Sequence, residues 1–116
     1  MKLVKLETFT TPFVSFVRAT SETGAEGWGQ LSTYHADITA QIFHRQVAPY
    51  ALGTDALDFA DTIQRNYEKE HKYPGSYLRR AQTGLDTALW DLRGKHEGKS
   101  VATLLGGSPG KVRAYA

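Results

Sequence analysis

The chain has no cysteine, which removes thiol nucleophiles, Cys-ligated zinc, iron–sulfur clusters and a disulfide scaffold. No apolar run approaches the roughly 20 residues of a membrane span, and the mean hydropathy is -0.42. The opening residues Met1-Lys2-Leu3-Val4-Lys5-Leu6-Glu7 put charges where a secretory peptide needs an apolar stretch, so a soluble cytoplasmic chain is expected. Charge of one sign is scarce too: 14 Lys+Arg against 12 Asp+Glu leave +2, too small an excess to point to nucleic acid. The four histidines, His35, His44, His71 and His96, show neither H-x-H nor H-x-x-x-H spacing, so no metal site is expected from them. What remains is a length of 116 residues, enough for one domain with its own core.

Three early segments, residues 2–10, 13–20 and 26–33, are rich in Val, Phe, Thr and Leu and read as strands. Ser21-Glu22-Thr23-Gly24-Ala25 has hairpin composition, with Gly24 suited to positive φ. Thr11 and Pro12 alone join the first two segments, so a three-stranded antiparallel meander follows. After Tyr34-His35-Ala36 the period becomes helical. Asp37 can cap a helix carrying Ile38, Ile42, Phe43 and Val47, which Pro49 and Gly53 are expected to close. A second helix is expected from Thr54-Asp55, with Ala56, Phe59, Ala60, Ile63 and Tyr67 as its stripe and Asp55, Asp58 and Asp61 in its first turns. Ser76 can cap a third, whose seam is Leu78, Ala81, Leu85, Leu89 and Leu92.

Within the third helix Asp91 and Lys95 form a favourable i, i+4 pair. Gly84 costs about 1 kcal/mol there relative to Ala, which makes sense if another backbone packs close. Trp90, at the edge of the seam, is expected to pack against another element. Gly98 ends the helix, a turn covers residues 100–105, and Val112, Ala114 and Ala116 alternate as a strand. That strand either joins the meander or opens a second domain, giving boundaries of 1–110 and 111–116.

Gly106 to Lys111 reads G-x-x-x-G-K but is one residue too short for a phosphate loop, and Val112 stands where Ser or Thr would bind a metal. Gly24, Gly27 and Gly29 fail G-x-G-x-x-G and read as backbone devices. Asp86 and Asp91, five apart, point about 140° away from each other around a helix and cannot share acid/base work. No catalytic constellation appears. His35, in a short loop beside Tyr34, is the histidine best placed to meet a ligand.

The tract Gly84-Leu85-Asp86-Thr87-Ala88-Leu89-Trp90-Asp91-Leu92-Arg93-Gly94-Lys95, then Leu104-Leu105-Gly106-Gly107 and Val112-Arg113-Ala114-Tyr115-Ala116, resembles the end of the amino-terminal capping domain of the mandelate racemase and muconate lactonizing branch of the enolase superfamily. Gly24-x-x-Gly27-Trp28-Gly29 and the order of elements agree. The resemblance implies an α+β fold: a three-stranded antiparallel meander followed by a three- to four-helix bundle, ending in the first strand of a (β/α)₈ barrel that is otherwise missing. It further implies proton abstraction α to a carboxylate with the enolate held on Mg²⁺, both the base and the metal ligands lying in the barrel. On that reading this chain supplies no catalytic residue and no metal ligand. It supplies two loops that cover the barrel mouth, with Thr11 and Phe13 on the first and Tyr34 and His35 on the second as substrate-binding candidates. The implied substrate is a small carboxylate, such as a sugar acid, and the implied assembly a homo-oligomer of the full-length protein. A different class of function, a stand-alone interaction module that keeps the fold without the barrel, would show a polar surface where Leu104-Leu105 and the terminal strand are apolar.

Overall fold

The computed structural model describes residues 1–115. Strands β1 (Leu3–Thr10), β2 (Ser15–Ser21) and β3 (Glu26–Gln30) form an antiparallel sheet in that order. Alternation along β2 sets its two faces: Ser15, Val17, Ala19 and Ser21 are buried while Phe16 is exposed. On the outer face the Arg18 guanidinium lies against the rings of Phe9 and Trp28 and pairs with Glu7 at 2.8 Å. Lys5 and Arg18 together hold the Glu7 carboxyl below its ordinary value. The β2–β3 hairpin turns through Gly24 at φ 81, the residue expected there.

Pairing places Gly29 opposite Val17 and Gly27 opposite Ala19 on the inner face, which packs on α4 (Ser76–Glu97). A Cβ at Gly27 would collide with the carbonyl oxygen of Ala88, and one at Gly29 with that of Gly84. A Cβ at Gly84 would in turn strike Leu31. The close approach expected at Gly84 is thus met by the end of the third strand. Around it Leu78, Ala81, Leu85, Ala88, Leu89 and Leu92 are buried as one seam. Gly98, at φ 65, ends the helix. Ser76 differs from its expected part, since Gly75 holds the N-cap position and no side chain caps α4.

The helix after the sheet is a composite: α1 (Ala36–Ile42), a π turn (Phe43–Val47) and α2 (Ala48–Ala51). Pro49 does not close it. Proline has no N–H, and its ring crowds the carbonyl four residues back. The ladder accommodates this by slipping one residue, so that Ala48 N–H bonds to the Phe43 carbonyl. The N-cap position is His35, with Asp37 inside the first turn.

The second helix starts later than its stripe suggests, as α3 (Ala60–Lys69). Residues 53–56 pair instead with the N-terminal residues, through Leu3 N–H to Thr54 O at 2.9 Å and Ala56 N–H to Met1 O at 2.7 Å. That tertiary pairing outcompetes helix propensity. Asp55 therefore accepts from the terminal amine and from Leu57 N–H, Asp58 also lies outside the helix, and only Asp61 of the three sits in its first turn. Ala56 and Phe59 are nevertheless buried, and Phe59 meets Trp90 edge-on at 5.3 Å. The fully buried positions of α3 are polar, Thr62 and Asn66.

A last turn, α5 (Val101–Leu104), is capped by the Ser100 side chain. Residues 111–115 form no strand and are exposed. A strand needs a neighbour to take its backbone hydrogen bonds, and none of the described strands lies beside them. Ala116, the end of the expected strand, lies outside the described residues.

Gly29→Ala is expected to destabilise the fold by about 3 kcal/mol or more, because the methyl group meets backbone rather than a movable side chain. Gly24→Ala, with nothing within 4 Å of its added methyl, should cost only about 1 kcal/mol, for its positive φ. Urea melts of the two variants read the difference directly.

Candidate functional site

The β1–β2 connection and the segment between β3 and α1 meet at one end of the sheet, where Ala36 N–H donates to the Pro12 carbonyl at 3.1 Å. One hydrogen bond thus joins two loops that are 24 residues apart in sequence (36 − 12). In the first loop, Thr11 N–H bonds to Val14 O at 2.8 Å. Its hydroxyl oxygen accepts from the N–H groups of Phe13 and Val14, both at 3.2 Å. Thr11 therefore shapes the turn with its side chain, while the Phe13 ring projects outward at 69% exposure.

The second loop is held at its base. Leu31 is buried and its N–H donates to Ser15 O at 2.9 Å, while Arg80 reaches from α4 to the Ser32 hydroxyl at 3.1 Å. Beyond that base Tyr34 and His35 both take left-handed conformations, at φ 56 and 52. Such backbone is uncommon outside glycine and costs on the order of 1 kcal/mol per residue. It persists because the structure fixes both sides: the His35 carbonyl accepts from Thr39 N–H at 3.1 Å, and Ala36 is tied to Pro12. The double turn leaves the side chains of Tyr34 and His35 exposed. A ring, a phenol and an imidazole thus stand on one rim.

Between β1 and α1, next to this rim, runs an open groove of about 530 Å³ lined by Thr8, Thr10, Asp37, Gln41, His44 and Arg45. His44 is fixed in it by a 2.9 Å contact from its Nε2 to the Thr8 hydroxyl. The remaining two histidines lie near helix ends: His71 Nδ1 is 2.8 Å from the Glu68 carbonyl, and His96 is in the last turn of α4.

Asp91 makes the expected pair with Lys95 at 2.6 Å, and its carboxylate also accepts the Trp28 N–H at 2.8 Å. Helical spacing carries no hint of that second bond, which ties α4 to the edge strand. Asp86 lies between α4 and α3 beside Ile63, Arg79 and Gln82, and burial pushes its carboxyl up from 3.8.

A carboxyl raised on folding contributes stability below its unfolded value that is lost as pH rises through the folded one. Asp86→Asn should therefore be more stable than the parent at pH 7, with the advantage vanishing below the unfolded value of 3.8. Thermal melts across that range test this, and an Asn variant less stable at neutral pH would refute it.

The model of the mandelate racemase / muconate lactonizing enzyme N-terminal domain matches residues 3–106. D-galactonate dehydratase of Ralstonia pickettii is 31% identical over 118 aligned positions, covering 100% of this chain and 31% of that protein. The crystal structure of a candidate racemase from Roseobacter denitrificans superposes with a TM-score of 0.90 at 61% identity, over 94% of this chain and 30% of that one. A mandelate racemase/muconate lactonizing protein from Paracoccus denitrificans PD1222, complexed with magnesium, gives a TM-score of 0.84 at 34% identity, over 91% of this chain and 30% of that one. The chain thus spans about a third of the length of these relatives.

Proposed function

Because this chain belongs to the mandelate racemase / muconate lactonizing enzyme family by its N-terminal domain, we propose that it caps the active site of a cytoplasmic, Mg²⁺-dependent dehydratase, racemase or cycloisomerase acting on a sugar acid. The observation that carries the proposal is the joined rim. Two loops at the same end of the sheet are tied by the Ala36–Pro12 bond, and they present Phe13 and Tyr34, each 69% exposed. Exposed aromatic rings on a strained, well-anchored turn cost the domain stability and gain it nothing internally. They fit a surface that closes over a ligand.

In this reading residues 1–110 form the cap, and residues 111–116 begin the barrel, where the exposed segment would find its strand partners. The full-length protein is a homo-oligomer. Mg²⁺ would help stabilise the negative charge that develops when a proton leaves the carbon next to a carboxylate. The chain's own residues do not fit the ion: no three His, Asp or Glu side chains come together among the described residues. The cap's part is binding and exclusion of water. Tyr34 Oη and a His35 ring nitrogen donate to the carboxylate or hydroxyls of the acid, Phe13 covers its apolar edge, and Thr11 keeps the first loop in shape. Closure removes competing water and strengthens every polar contact beneath it.

Contacts remote from the reacting carbon appear in kcat/KM. In the full-length protein, Tyr34→Phe and His35→Ala should each lower kcat/KM on D-galactonate or the related acid it turns over by about tenfold, equivalent to about 1.4 kcal/mol. Stability should stay within about 0.5 kcal/mol. Unchanged kinetics in both variants, or a collapse in stability, would return the loop to the scaffold.

A further inference from the structure

We propose that Asn66 is a positioning residue for the Tyr34–His35 loop and acts through the π turn. The proposal deepens the capping reading and rests on it for its functional meaning. Asn66 is 1% exposed on α3, and its Nδ2 donates to the Gln46 carbonyl in the π turn at 2.5 Å. Gln82, 3% exposed on α4, donates from Nε2 to Asn66 Oδ1 at 2.6 Å. Since Asn66 Oδ1 accepts from Gln82, its amide can face Gln46 only with the donor side. The orientation is set from the helix that also seats β3.

A π turn holds one residue more than the α-helical turn it replaces. If the turn relaxed to the α register, every residue N-terminal to it would shift by about 100° and 1.5 Å relative to α2. That N-terminal piece is α1, and its first turn carries the Ala36–Pro12 bond and the Thr39 bonds to the His35 carbonyl. A buried amide pinning a carbonyl inside the π turn opposes such slippage. On an otherwise ordinary helix a leucine at position 66 would fill the space without needing two hydrogen bonds. Two buried amides in series, ending on a carbonyl of the irregular turn, are therefore explained by register better than by packing. On the exposed side of the same turn Glu70 ties down the Gln46 side chain and the Tyr50 hydroxyl, at 2.6 and 2.8 Å. This is a second fastening of the same stretch to the end of α3.

Amide hydrogen exchange on the 116-residue chain decides the matter. Asn66→Leu is expected to speed exchange of amides 35–42 at least tenfold while amides 85–92 of α4 change less than twofold. Uniform acceleration across both segments, or no change at 35–42, would overturn the proposal. Should Asn66→Leu fail to fold, Gln82→Met, which leaves Asn66 in place but frees its amide to turn, decides by the same comparison. Exchange and turnover separate the two readings: a localised effect at 35–42 together with unchanged kinetics in the Tyr34 and His35 variants would remove the cap and keep the role of Asn66.

Discussion

Everything in this domain is referred to the place where β3 and α4 touch backbone to backbone. Side chains normally separate packed layers, but Gly27 and Gly29 have none, and at Gly84 the Leu31 side chain fills the space a Cβ would take. The helix carbonyls of Gly84 and Ala88 occupy the space that side chains would fill. Opposite the two β3 glycines, Val17 and Ala19 on β2 are fully buried. The Asp91 carboxylate then reaches Trp28 N–H and secures the outer edge of the sheet. Arg80, about three turns from Asp91 toward the helix N-terminus, reaches Ser32 at the base of the second loop. One helix thus sets the sheet, its edge and the loop that leaves it.

Local periodicity made most of this legible. The meander, the α4 seam, Gly24 in the hairpin, Gly98 as the stop and the tight fit at Gly84 all follow from patterns a few residues long. So does the presence of the two loops, since Thr11-Pro12 reads as a turn and Tyr34-His35 falls between two periods, although the first turn extends to Val14 and β2 begins only at Ser15. Three features were not legible from local patterns. Residues 53–56 pair with Met1 and Leu3, which defeats a helical stripe that Ala56 and Phe59 fit by spacing alone. Pro49 reads as a stop, whereas the ladder slips around it. Residues 111–115, expected to be part of a strand, form none.

Buried polarity follows the same division. Asn66 and Gln82 satisfy each other and the π turn, a chain of bonds spanning three helices that no window of sequence contains. Asp86 is the contrasting case, half-buried and raised by desolvation. Glu7 and Arg18 on the outer sheet face show the usual solution, with each charge met by its opposite and the guanidinium lying on aromatic rings. The domain tolerates unusual backbone and unusual burial where distant elements secure them.

The rim loops stand apart from this economy of contacts. Thr11, Pro12, Phe13, Thr33, Tyr34 and His35 are all exposed, so none of their side chains belongs to the core that the glycines create. Their shape is held instead by the Thr11 hydroxyl and by main-chain bonds, Ala36 to Pro12 and Thr39 to His35, and the main-chain bonds survive a change of side chain. Mutational drift can therefore explore the chemistry of the rim almost freely, while β3 and α4 must evolve in concert or not at all. A lineage built on this scaffold can acquire new ligand preferences by accumulating substitutions at the rim positions other than Thr11, and no compensating change in the interior is required of it.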